Sequence, residues 1–180
     1  MNIVQQLLQI ILLKRGPEDL EYNETAAYVA CGLFVYANYL IKVVLGTFSM
    51  PLLYTVVESA ALIAYFFLSM SVLNMSNRFV QFSTGYFGVL ALQAAAVVVL
   101  LSTGGSVGIA FLFIIVAIWI TLVALRILIK TFDKGILLPL LIWFVSILVP
   151  STITAAVFSG FEAESEQAFS VFQQLLQPPQ

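Results

Sequence analysis

Five long apolar stretches, at about residues 25–45, 51–73, 79–102, 107–129 and 136–158, constrain this 180-residue chain more than any other feature. Each is long enough to cross a bilayer as an α-helix, which takes about 20 apolar residues. A chain that crosses hydrocarbon must satisfy its backbone polar groups internally, and a helix does so within one segment. The expected fold is therefore an all-α integral membrane protein with five transmembrane helices in residues 24–160 and short amphipathic helices at both ends, in residues 1–23 and 161–180. Composition agrees, with 62% hydrophobic and 9% charged residues where a soluble domain carries about 25% charged.

The same composition excludes several functions. Seven Lys or Arg against nine Asp or Glu leave a net charge of −2, the opposite of the basic surface that nucleic acid requires. There is no histidine, and Cys31 is the only cysteine, so histidine triads, histidine-ligated zinc and intramolecular disulfides are ruled out. Cys31 reads as a small apolar packing residue. The two aspartates, Asp19 and Asp133, lie outside the spans, which leaves an intramembrane aspartyl protease unsupported. No nucleophile elbow, phosphate loop or dinucleotide fingerprint occurs. The expectation is a non-enzymatic protein without cofactor or metal.

Residues 2–14 place Ile3, Val4, Leu7, Leu8, Ile11 and Leu12 on one helical face and Asn2, Gln5, Gln6 and Gln9 opposite. Lys14 and Arg15 close the last turn, where the helix dipole favours cations, and Gly16-Pro17 stops it. Too short and polar to span, this helix is expected in the headgroup plane, with packing against the bundle as the alternative. It is not expected to serve as a cleavable signal peptide, because no basic residue precedes its apolar part and glutamines interrupt it. Asn23 or Glu24 starts the first span, and Pro51 opens the second at a position that tolerates its missing N–H. Pro150, inside the fifth span, is expected to kink it, with Ser151, Thr152 and Thr154 re-satisfying freed carbonyls. The tail opens with Glu162, Glu164 and Glu166 and then sets Ala168, Phe169, Phe172, Leu175 and Leu176 at helical spacing.

Orientation follows from the basic residues near span ends. Lys14, Arg15, Arg78, Arg126, Lys130 and Lys134 all fall on one side. The positive-inside rule makes that side the cytoplasm, with the N-terminus inside and the acidic C-terminal tail outside.

Lys42 and Glu58 lie inside spans, and charge in hydrocarbon is a functional signal by default. Lys42 is four residues before the turn at Gly46, about 6 Å of helix, and Glu58 is seven after Pro51, about 10 Å. In an antiparallel hairpin the two can meet, and Asn38 lies one turn deeper than Lys42 on the same face. The alternative is a Lys42 that snorkels to the headgroups. A second constellation is made of small residues: Gly85, Gly88, Ala91 and Ala94 to Ala96 on the third span, and Gly104 and Gly108 four apart at the next turn. Such surfaces let helices approach closely.

Five spans, a cytoplasmic N-terminus and the string Asn77-Arg78-Phe79-Val80-Gln81-Phe82-Ser83-Thr84-Gly85-Tyr86 together resemble the YIP (Ypt-interacting protein) superfamily. Lys14-Arg15-Gly16-Pro17-Glu18-Asp19-Leu20 looks like the short segment that precedes the first span in small bacterial members. The Asp-Leu-Tyr-Gly-Pro string and long cytosolic region of eukaryotic members are missing, so GTPase binding does not carry over. The resemblance implies a five-helix, non-enzymatic bundle of the bacterial inner membrane. Two roles remain open. One is a scaffold or accessory subunit, partnered by the bilayer and by its own copies or other membrane proteins. The other is a small transporter or channel subunit using Asn38, Lys42 and Glu58.

Overall fold

The computed structural model describes residues 3–12, 16–46, 50–103, 107–133 and 135–175, with side chains described no further than residue 159. Lys14, Arg15, Gly104 and Lys134 lie outside the described residues, as does the apolar face expected on the tail. Six helices follow one another: α1 (Ile3–Ile11), α2 (Glu24–Leu45), α3 (Pro51–Val72), α4 (Phe79–Ser102), α5 (Val107–Phe132) and α6 (Leu137–Leu175). No strand occurs among the described residues. Helices α2 to α6 supply five candidate spans by length and apolarity, so the protein is an all-α integral membrane protein.

Local chemistry sets the helix ends. Asn23 caps α2 by accepting a hydrogen bond from the Ala26 N–H at 3.0 Å, which satisfies one of the orphan donors of the first turn. Gly46 ends the same helix at φ +63°, its N–H donating to the Lys42 carbonyl at 3.1 Å. That left-handed conformation strains residues with a Cβ. Asn74, just past the cap of α3, and Asp133, at the end of α5, adopt the same region at φ 58° and 45°, and both are residue types that tolerate it.

Since consecutive spans reverse direction, α2, α4 and α6 run parallel to one another and antiparallel to α3 and α5. One end of the bundle, called here the basic end, carries Arg78 and Lys130, and the opposite end carries Gly46 and Pro51. Helix α4 is the centre: 44% of its most apolar window is buried, against 17–28% for the others. Its closest neighbour is α2. Ala27, Ala30, Phe34 and Ala37 are buried on α2 at spacings of three and four that form one helical face, and Gly88, Ala91 and Ala94 are buried on α4. Without a hydrophobic force between helices in lipid, such small side chains allow the close approach from which dispersion energy comes. Helix α3 packs chiefly on α6 instead.

Aromatic rings fill the middle. Phe66 of α3 lies against Phe82, Tyr86 and Phe87 of α4 at ring separations of 5.0, 4.8 and 6.3 Å, and Phe34 of α2 meets Phe87 at 5.2 Å. The Tyr65 hydroxyl donates to the Ile142 carbonyl of α6 at 3.1 Å. A phenol in an apolar setting needs such a partner, and this bond fastens α6 to α3.

Both ends differ in part from expectation. Helix α1 is amphipathic, but it docks on α4 and α5, with Ile10 and Gln6 only 2% and 4% exposed. Trp119 donates its indole N–H to the Ile11 carbonyl at 3.2 Å. Trp119 is thirteen residues from the end of α5, about 20 Å along the helix, so the end of α1 lies against the middle of α5. The expected polar face misleads because Gln6 is part of that contact. At the other end the tail is helical through Leu175 as a continuation of α6, not as a separate helix. Pro150 lies inside α6, which is continuous across it. The carbonyl that a proline there deprives of its partner is that of Ser146, whereas Ser151, Thr152 and Thr154 donate to Ile147, Leu148 and Pro150 at 2.7–2.9 Å.

Candidate functional site

Two places concentrate polar chemistry, one at each end of the bundle. Near the Gly46 end, the Lys42 ammonium on α2 donates to Glu58 Oε2 on α3 at 2.5 Å. Depth brings them together, since both lie within three turns of the connection between the two helices. Their side chains are 13% and 39% exposed, respectively. A mutual bond of this kind is far cheaper than two isolated charges in the same surroundings.

A cavity of about 430 Å³ opens beside the pair. Its walls include Tyr54 on α3 and Ser151, Thr154, Phe158 and Ser159 on α6. The Tyr54 and Phe158 rings stack at 3.8 Å and hold α6 against α3 at this level. Asn38 is not among the walls: its amide donates to the Phe34 carbonyl at 2.9 Å. The intramembrane cluster is thus the Lys42–Glu58 pair with hydroxyls from α6, rather than an Asn38–Lys42–Glu58 trio. Sequence reasoning missed α6 here. The spacing of Ser151, Thr154, Ala155 and Phe158 is a helical stripe that could have marked it, whereas the hydroxyls drew notice only for the proline.

At the basic end the turn at Gly16–Leu20 folds back on itself. Pro17–Asp19 form one 3₁₀ turn, in which Leu20 donates to Pro17 O at 3.1 Å. The Asp19 carboxylate accepts from the Gly16 N–H at 3.2 Å. Gln81 on α4 donates to the Leu20 carbonyl at 2.7 Å. Gly85, one turn further, lies beneath this segment: a Cβ there would stand 3.4 Å from Leu20 Cδ1, 3.5 Å from Pro17 Cβ and 3.9 Å from Ile10 Cδ1. Arg78, just before α4, donates from Nη1 to the Thr131 carbonyl at 3.2 Å, so α4 and α5 are tied at their ends. The two short strings singled out in the sequence therefore meet in space.

The other small residues divide. Gly88 is buried and lines a groove between α2 and α4. Gly108 is exposed, and a Cβ on it would meet nothing within 4 Å, so it makes no close helix contact among the described residues. Its intended partner Gly104 is outside the described residues. No group of three acidic, cysteine or histidine ligands able to hold a metal occurs among the described residues. The chain matches no protein-family model, no curated protein and no solved structure.

Proposed function

We propose that this protein is a non-enzymatic membrane scaffold or accessory subunit that acts through helix–helix contacts and its terminal helices. The observation that carries the reading is that no charged side chain follows Glu58 along α3 and that packed rings stand a few turns deeper. Phe66 lies eight residues below Glu58 on α3, about 12 Å. There the fully buried Phe66, Phe82 and Phe87 and the 3%-exposed Tyr86 fill the space between α3 and α4. An ion pair with packed aromatic rings a few turns deeper in the bundle suits a fastening of α2 to α3 better than a conduction path, which needs polar or wet lining along its length. The distribution of basic residues favours a cytoplasmic N-terminus and a C-terminus outside, and the family resemblance favours the bacterial inner membrane as its place. Purification in mild detergent followed by native mass spectrometry tests the reading. An oligomer or a stoichiometric membrane-protein partner is expected, and a strict monomer without one overturns it.

The cavity beside the pair favours a second reading, a small transporter or channel subunit working through Lys42 and Glu58. Ion or proton flux in proteoliposomes that vanishes in Glu58→Gln establishes it in place of the first.

A further inference from the structure

A polar pocket of about 220 Å³ opens at the basic end of the bundle, lined by Pro17, Arg78, Gln81, Phe82, Lys130 and Thr131. Three separate segments build it: the Gly16–Leu20 turn, the start of α4 and the last turn of α5. Two of its six walls are cations, and both are exposed residues. Its floor is apolar and solid, since Phe82 is fully buried.

We propose that this pocket binds the phosphate group of an anionic phospholipid at the membrane surface. Arg78 and Lys130 suit a phosphate in complementary ways. A guanidinium presents five N–H donors in a planar fork, of which the bond to Thr131 O takes one, and that bond holds the fork at the pocket wall. Lysine adds a compact charge from the facing helix, the usual partnership in phosphate recognition. Gln81 and the turn that it clamps complete the wall, so the pocket is shaped by tertiary contacts and not by one flexible side chain. Its depth fits a lipid better than a soluble ester. Arg78 immediately precedes the first residue of α4 and Lys130 is two residues from the end of α5, so both cations stand where apolar spans give way to headgroups. A lipid bound there keeps its acyl chains along the apolar flanks of the same helices. Basic pockets between spans are a recurrent means of headgroup recognition.

The test uses the full chain in neutral detergent, titrated with short-chain phosphatidylglycerol, short-chain phosphatidylcholine and inorganic phosphate, with binding read by tryptophan fluorescence or thermophoresis. Phosphatidylglycerol is expected to bind more tightly than phosphatidylcholine. Lys130→Gln should weaken it roughly fivefold and Arg78→Gln at least as much. Arg78→Lys should recover part of the loss, because it restores charge but not the fork. Arg78 also ties α4 to α5, so Lys130→Gln, which leaves that bond in place, keeps the test decisive if Arg78→Gln fails to fold. Equal affinity for the two lipids, or binding unchanged in Lys130→Gln, overturns the proposal. Lys130-dependent binding of inorganic phosphate as strong as that of phosphatidylglycerol assigns the pocket to a soluble phosphate ester and overturns the lipid reading.

Discussion

Replacing Lys42 by Met leaves the Glu58 carboxylate beside a cavity lined by Tyr54, Phe158 and three hydroxyls, and replacing Glu58 by Gln leaves an ammonium on a side chain only 13% exposed. Two unit charges about 4 Å apart attract by about 4 kcal/mol at an effective dielectric constant near 20, before the cost of drying them. Exposed pairs couple by at most about 1 kcal/mol, whereas loss of one member of a buried pair costs about 3–5 kcal/mol. With Lys42 largely buried and Glu58 39% exposed, this pair falls between those limits, and a coupling of about 2 kcal/mol is expected. The measurement is a double-mutant cycle over wild type, Lys42→Met, Glu58→Gln and the double variant. Each is unfolded reversibly in mixed micelles of dodecyl sulfate and a mild detergent, followed by far-UV circular dichroism. The two single changes together should exceed the double change by the coupling energy. Coupling within about 0.5 kcal/mol of zero, the scatter of independent sites, means that the pair does not hold α2 to α3 and refutes the reasoning.

At Gly85 the spacing above the helix predicts opposite outcomes for two substitutions. Gly85→Ala adds a Cβ at ordinary contact distance from Leu20 and Pro17 and gains helix propensity, so stability should stay level or rise by up to about 1 kcal/mol. Gly85→Leu overfills the contact and should lower stability by about 1–3 kcal/mol, with faster hydrogen exchange at the Asp19 and Leu20 amides, which donate to Gly16 O and Pro17 O. For topology, cysteines introduced at Asn77 and Ile136 in a Cys31→Ala background should be shielded from an impermeant thiol reagent in intact cells, while one at Ser165 should label. Reversed labelling places the basic end outside.

Length and apolarity alone determine the number of spans, because the thickness of the bilayer sets a ruler that residues 25–158 meet five times. Helix rise is as dependable: the depths of Lys42 and Glu58 could be counted from Gly46 and Pro51, and the ammonium and carboxylate do meet. The cap at Asn23 and the stop at Gly46 were legible for similarly local reasons. Neighbours were not. Nothing in the pattern of α2 says that Ala27, Ala30 and Ala37 turn to α4 more than to its hairpin partner α3, or that Ser151 and Thr154 of α6 wall the cavity beside Glu58. Likewise, Gln6 looked like part of a wetted face until α1 was placed against α4 and α5. The reason is the solvent. In water a buried face differs from an exposed one in polarity and can be read as periodicity, but lipid tails are as apolar as leucine. Buried and lipid-facing sides of a span therefore carry the same kind of residue. What separates them is the fit of side-chain shapes across a contact, and that exists only once the helices are together.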